Sequence, residues 1–339
     1  MHQPAITGTG VFTPENVITN AELVKAFNAY ADIYNAENAE AIAAGEVVTK
    51  EYSSEDFILK ASGIEQRYVI DKKGVLDPKV MHPLFRQRKD EEPSLMAEMG
   101  VDAALKALAQ AGRQACEVDL LICAASNMER AYPAVAIEMQ ALLGVKGFAV
   151  DMNVACSSAT FGIQAAADMF RSGSVRAALV INPEICSAHL EWRDRDCHFI
   201  FGDVATATLI ERVEDANGAC FEVLSTRCAT EFSNNIRNNN GYLRRSRPAG
   251  MADRRDMQFM QNGRKVFKEV LPIVSDHIGA HMAEEGVEAR DLRRLWLHQA
   301  NKSMNDFVGR KVLGRTPAPL EQPNILQDYA NTSSAGSII

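Results

Sequence analysis

Three short stretches of the chain carry side chains that can do chemistry together. Cys156 lies in Asp151-Met-Asn-Val-Ala-Cys156-Ser-Ser, between a short apolar run and an alanine-rich one. His298 opens His298-Gln-Ala-Asn301, directly after the apolar Leu295-Trp-Leu297. Asn331 opens Asn331-Thr-Ser333 in a polar stretch. His298 follows Cys156 by 142 residues, and Asn331 follows His298 by 33. Taken singly, each reads as ordinary: a buried structural thiol, a satisfied histidine, a turn asparagine. Taken together they supply one nucleophile and two neutral hydrogen-bond donors. A thiolate can attack an acyl carbon. An imidazole N–H and an amide NH2 can stabilise an enolate or other oxyanion. That is the chemistry of acyl transfer through a cysteine thioester.

The elements that must position these groups are legible from pattern. Gly147-Phe-Ala-Val-Asp-Met152 predicts a short buried strand, and Ser157 to Arg171 a helix stopped by Ser172-Gly173. That helix carries small or apolar residues on nearly every side, which predicts burial all round. Cys156 falls at the strand-to-helix turn. Free backbone N–H groups and the positive end of the helix dipole are expected to ease loss of the thiol proton there. Leu292 to Leu297 predicts a strand that delivers His298, and Ser303 to Leu313 a helix behind it.

The rest of the chain reads as alternating strands and helices. Pro4–Phe12 predicts a strand; its Gly8-x-Gly10 lacks the third glycine of a dinucleotide loop, since Thr13 and Pro14 follow. Thr19 to Leu23 opens a helix with Asn20 as the expected N-cap. Residues 28 to 52 predict an inserted helical excursion, and Ser53 or Ser54 caps the next helix. Residues 71 to 93 form a long polar loop, expected to act as a flap or to cover a partner. Ser94 to Ala111 is an amphipathic helix, and Leu120 to Ala125 a continuous apolar run, as in a buried parallel strand. Ala177 to Asn182 and Ala205 to Ile210 predict strands. Phe221 to Ser225 starts a second half. Ser233 to Arg247 is an Asn-rich basic loop or hairpin turning at Asn240-Gly241, and Gly263 to Met282 a long helix. This alternation predicts an α/β fold with mainly parallel sheets.

Composition bounds the function. The chain has 339 residues, 47% hydrophobic, enough for two domains with large cores. A net charge of −8 argues against nonspecific nucleic-acid binding. No apolar run is long enough to span a membrane, and no leader pattern precedes the first strand. Seven cysteines without C-x-x-C spacing read as reduced thiols of a cytoplasmic protein. His277 and His281 are one turn apart, but Ile278 stands where a zinc protease has its glutamate, so no metal is expected.

Across nearly its whole length the chain resembles the β-ketoacyl-acyl carrier protein synthase III family of thiolase-like condensing enzymes. Ile6-Thr-Gly-Thr-Gly10, Ser62-Gly-Ile64, Ala155-Cys-Ser157, Phe201-Gly-Asp203, Gly263-Arg-x-Val-Phe267, His298-Gln-Ala-Asn301 and Asn331-Thr-Ser333 carry the likeness. The resemblance implies a five-layer α-β-α-β-α fold of two pseudo-duplicated halves, 1–214 with the nucleophile and 215–339 with His298 and Asn331. It implies a homodimer acting on acyl-CoA and malonyl-acyl carrier protein, with no cofactor beyond the CoA of the substrate. Cys156, His298 and Asn331 are the implied catalytic residues. Phe57 and Arg195 are implied to flank the CoA adenine, and Gly263, Phe267 and Asn301 to line the pantetheine channel. Lys268, Arg310 and Lys311 match the carrier-protein docking face.

The chain also departs from the family pattern. Ala61 stands where a basic residue is usual, and Ser303 where an arginine is usual, with Lys302 beside it. The excursion at 28–52 and the loop at 71–93 are longer than in compact members and point to a primer longer than acetyl. Family members continue past the position of Ile339 into strands with a Gly-rich oxyanion loop, so the sequence is expected to be truncated there. The rival expectations are a specialised condensing or acyl-transfer enzyme of secondary metabolism, a Cys-His-Asn thioester hydrolase, and a non-catalytic acyl-binding protein. Ser157 and Ser158 offer a serine nucleophile, but no Gly-x-Ser-x-Gly elbow surrounds them.

Overall fold

A computed structural model describes residues 3–246 and 255–339. The chain opens with β1 (Pro4–Phe12) and β2 (Asn16–Thr19), then α1 (Asn20–Glu37) and α2 (Ala39–Ala43). Thr19, not Asn20, caps α1, through a reciprocal box with Glu22. Asn20 is turned inward instead: it donates to the Ile64 carbonyl at 2.7 Å and accepts from the buried Arg67 at 2.9 Å. The return of the excursion is held by Asn35 against the backbone of Lys50 and by Asn28 against Ser53.

Ser54 caps α3 (Glu55–Ser62), and β3 (Gln66–Val69) pairs with β2. After α4 (Lys72–Leu76) the long polar loop is pinned by Asp71, which accepts from Gly74 N–H and Leu84 N–H. α5 (Leu95–Ala111), α6 (Val135–Leu143) and α7 (Ser158–Arg171) alternate with β4 (Leu120–Ala124), β5 (Phe148–Met152), β6 (Ala177–Ile185) and β7 (Asp203–Arg212).

One six-stranded sheet results, in the order β5-β4-β6-β7-β1-β8, where β8 is Phe221–Glu222. β5, β4 and β6 pair in parallel; β7 pairs antiparallel with β6 and β1, and β1 antiparallel with β8. Four of the six strands therefore point one way. β4 is buried throughout and β6 nearly so. α5 and α6 pack on one face around Met99, Leu121 and Leu179, and α7 packs on the other around Ile122, Phe170 and Val180. Gly8 and Gly10 do structural work here. A Cβ at either would sit 2.2 Å or 2.0 Å from a carbonyl of α5, so these glycines let the helix lie directly on β1.

Several expectations change. β5 is an edge strand, not a buried one, because only β4 pairs with it; Phe148 and Val150 stay exposed. α7 buries one stripe, Ala159, Gly162, Ala166 and Phe170, since only one side of it meets the sheet. Asn240-Gly241 is not a two-residue hairpin turn: Ile236–Arg237 pairs with Met260–Gln261 and encloses a longer segment, and Arg247 lies outside the described residues.

In the second half, α8 (Gly263–Glu284), α9 (Lys302–Leu313) and α10 (Leu326–Tyr329) form as helices. Residues 292–297 do not form a strand. No described segment lies beside them as a ladder partner, and Leu295 N–H reaches only the Glu321 carbonyl. Beyond β8, the strands described in the second half are those of the Ile236–Arg237 and Met260–Gln261 ladder. No helix among them is long and apolar enough to cross a membrane.

Candidate active site

Cys156 stands on a tightly constrained turn. The chain leaves β5, passes Asn153, and enters a single 3-10 turn, Ala155–Ser157, before α7 begins at Ser158. The nucleophile candidate therefore precedes the helix rather than sitting in its first turn. Ala155 has φ of 47°, a strained value for a residue with a side chain. Local polar groups hold it there. Asn153 Oδ1 accepts from Ala155 N–H at 3.0 Å; Ser158 Oγ accepts from Val154 N–H at 2.9 Å and donates to the Ala155 carbonyl at 2.7 Å.

The Asn331 loop is brought beside this turn from the far end of the chain. Asn331 N–H donates to the Ile200 carbonyl at 2.9 Å, and Gly202 N–H donates to the Asn331 carbonyl at 3.1 Å, a parallel bridge between Phe201 and Asn331. Gly202 permits this approach, because a Cβ there would lie 2.4 Å from the Tyr329 carbonyl. Asp203 completes the motif by accepting from Ile70 N–H and from both N–H and Oγ of Ser187. The Phe201-Gly-Asp203 signature is thus a seat for the loop.

Ser333 is where the three candidate residues meet. Its hydroxyl donates to Cys156 Sγ at 3.5 Å, and its N–H donates to Asn331 Oδ1 at 2.8 Å. Its backbone also lies near enough to the His298 ring to favour the ring's proton. Ser333 has φ of 52°, so this point too is strained. With Asn331 Oδ1 occupied, the amide NH2 is the end that can donate elsewhere.

The electrostatics correct one expectation. Burial pushes the Cys156 thiol up to about 11; Glu184 adds to the rise, and the Ser333 hydroxyl pulls against it. The residue is half-buried, and desolvation of the thiolate outweighs the favourable helix end. Burial also pushes His298 down to about 4 against the Ser333 backbone. At neutral pH the pair is a thiol and a neutral imidazole.

Other residues of the His298-Gln-Ala-Asn301 motif serve the fold. Gln299 is buried; it donates to the Leu297 carbonyl at 2.9 Å and accepts from Ile325 N–H at 3.2 Å. Asn301 caps α9 by accepting from Ser303 N–H and donates to the Ala61 carbonyl at 2.6 Å. Both ends of its amide are engaged within the chain, which leaves it less free to line a channel.

Phe57 and Arg195 are in direct contact: the guanidinium lies 4.1 Å from the ring centroid, with Arg195 Nε donating to the Tyr52 carbonyl at 2.8 Å. A ring inserted between them needs two contact distances, about 7 Å. Gly263 starts α8, where an added Cβ would meet Gln261 Nε2 at 4.0 Å, and Phe267 lies one turn on, partly exposed. Lys268 on α8 and Arg310 and Lys311 at the end of α9 are all exposed.

Two cavities lie elsewhere. One of about 210 Å³ sits beside Thr7 and Gln110, and one of about 270 Å³ between His82, Phe85 and His189; neither is lined by Cys156, His298 or Asn331. His277 bonds the Arg227 carbonyl at 3.0 Å, and His281 bonds Ser225 Oγ at 2.7 Å. Sequence reasoning missed Ser333 as the hub and Glu184 beneath it. A carboxyl in the mostly apolar stretch Ala177–Ile185 was the available signal.

The chain as a whole resembles known proteins. Residues 150–230 match the family profile 3-oxoacyl-[acyl-carrier-protein (ACP)] synthase III, and residues 282–339 match the profile of its C-terminal part. The chain is 52% identical over 317 residues to a beta-ketodecanoyl-[acyl-carrier-protein] synthase of Pseudomonas aeruginosa, covering 93% of this chain and 90% of that one. It is 30% identical to a beta-ketoacyl-[acyl-carrier-protein] synthase III of Acidiphilium cryptum, covering 99% and 88%. Among solved structures, a 3-oxoacyl-(acyl carrier protein) synthase III from Pseudomonas aeruginosa superposes with a TM-score of 0.74 at 22% identity, covering 99% of this chain and 87% of that one.

Proposed function

The chain belongs to the β-ketoacyl-acyl carrier protein synthase III family of thiolase-fold condensing enzymes, and from that premise we propose that it joins a medium-chain acyl primer to a malonyl unit through Cys156. The relative at 52% identity is named for a ketodecanoyl product. Ten carbons less the two that malonyl contributes leave an eight-carbon primer. We therefore take octanoyl-CoA as the primer and malonyl-acyl carrier protein as the extender.

The first half-reaction is thiol exchange. Cys156 sulfur attacks the thioester carbon, the bond to CoA sulfur breaks, and the thiol proton leaves with CoA. Overall the step is proton-neutral, so a thiol with a pKa near 11 can take part as long as its proton is lost as the new bond forms. In the second half-reaction malonyl loses CO2, and the electron pair becomes an enolate. His298 N–H and Asn331 NH2 donate to the enolate oxygen. A neutral imidazole keeps one N–H, and this role requires that N–H to face the enolate oxygen. The enolate carbon attacks the acyl-Cys156 carbonyl, and the sulfur leaves and is reprotonated. The product is 3-oxodecanoyl-acyl carrier protein.

Phe57, Arg195, Gly263 and Phe267 are proposed to meet CoA, and Lys268, Arg310 and Lys311 the acidic carrier protein. A second copy pairing at the open edge of β5 belongs to the same reading.

The observation that carries this reading is the convergence of Cys156, His298 and Asn331 on Ser333. Intact-mass spectra with acyl-CoAs of increasing length test it. Octanoyl transfer to wild type but not to Cys156→Ala, followed by discharge with malonyl-acyl carrier protein to a 3-oxo product, is expected. Exclusive loading of acetyl, or discharge by water alone, overturns it.

A further inference from the structure

Glu184 is a buried carboxyl that the reaction above does not use. It lies near the end of the mostly apolar β6 and is 1% exposed. Its Oε1 accepts from Ser126 N–H at 2.9 Å, from Ser334 N–H at 3.2 Å and from the Ser334 hydroxyl. Its Oε2 accepts from the Ser126 hydroxyl at 2.5 Å. Burial pushes its pKa above the ordinary carboxylate value, while these donors pull the other way.

The two serines belong to opposite sides of the site. Ser126 follows β4, and its carbonyl accepts from Asn153 Nδ2 at 3.0 Å; the same Asn153 holds Ala155 N–H directly before Cys156. Ser334 follows Ser333, which contacts Cys156, Asn331 and His298. One carboxyl on the rigid central strand therefore grips the support of the nucleophile with one hand and the oxyanion loop with the other.

We propose that Glu184 is a positioning residue that sets the register between the Cys156 turn and the Asn331–Ser334 loop. This rests on the reading of Cys156 as the acyl carrier. The two half-reactions then depend on it unequally. Loading needs only the Cys156 turn. Condensation needs the enolate held by His298 and Asn331 to meet the thioester carbon on Cys156, and a misplacement of about 1 Å costs on the order of 100-fold.

The experiment measures both half-reactions in Glu184→Ala and Glu184→Gln, with octanoyl-CoA and then malonyl-acyl carrier protein. Absence of a Cys156 adduct in wild type defeats the underlying reading, and this inference with it. Given that adduct, Glu184→Ala is expected to load within about tenfold of wild type and to condense about 100-fold more slowly. Glu184→Gln, which keeps one acceptor oxygen for both N–H donors, is expected to recover most of the loss. Equal falls in both steps, no fall in either, or glutamine no better than alanine overturns the proposal. If Glu184→Ala does not fold, Ser126→Ala and Ser334→Ala each release one side; the same split in smaller measure supports the proposal, and its absence in both defeats it.

Discussion

The Cys156 side of the site and the His298 side are held by different means. Cys156 follows an edge strand, but that strand is backed by β4 and β6, whose residues are almost wholly buried. His298 follows a segment that joins no ladder among the described residues; its Trp296 is 54% exposed and meets the edge of Phe221, itself 64% exposed. A sheet fixes the first position cooperatively. Individual hydrogen bonds, chiefly those of Gln299, fix the second. Stability and precision are therefore unevenly spread: the nucleophile's place survives most single changes near it, whereas the histidine's place rests on a few contacts.

Predictions follow that contrast. Cys156→Ala is expected to remove acyl loading and turnover entirely, read by mass and by product release. His298→Ala or Asn331→Ala is expected to leave loading largely intact and to lower condensation about 100- to 1000-fold, as for loss of one oxyanion donor. A loading defect as large as the condensation defect would erase the division of labour between the two sides.

Stability tests the contrast directly. Leu121→Ala, at a fully buried position of β4, is expected to cost about 2–5 kcal/mol in denaturant unfolding. Trp296→Ala, on the unpaired segment, is expected to stay within about 0.5 kcal/mol. Gln299→Ala falls between: it strips partners from Ile325 N–H and the Leu297 carbonyl, and about 1–3 kcal/mol is expected. That loss should appear mainly in kcat, because His298 is the neighbour that moves.

The smallest effects are in pH. With its thiol near 11, Cys156 is expected to react with iodoacetamide at a rate that climbs about tenfold per pH unit from 7 to 10. A plateau near 8.5 would show an ordinary, exposed thiol. For stability, burial lowers His189 and His298 to about 4 and His198 to about 3. Between about 6.5 and 4 the unfolded chain binds more protons at these three sites, so stability falls as pH falls. Asp203, raised to about 6, binds its proton first in the folded state and offsets part of that loss. A modest net drop in Tm from pH 7 to pH 5 is expected.

Much of this was legible in the sequence. Caps and stops gave α3 and α5 nearly to the residue, because Ser54 and Gly112 act locally, and residue pattern alone gave α9 to within one residue. Residue types gave the three chemical groups. What escaped depended on partners far along the chain. Leu292 to Leu297 has the pattern of a strand, but a strand exists only beside another. Cys156 has the address of an activated thiol, but its proton affinity is set by how fully the sulfur is enclosed. Glu184 drew no reading from the sequence, because the two serines that give it four of its hydrogen bonds are 58 and 150 residues away.

The contact between Phe57 and Arg195 has a kinetic consequence. A flat ring that enters between them displaces an intramolecular rival tethered at high effective concentration. Measured affinity is then the intrinsic affinity scaled by the fraction of molecules in which the pair has parted. If parting is slow, the rate of complex formation levels off as ligand concentration rises, and its ceiling is the frequency with which Arg195 lets go.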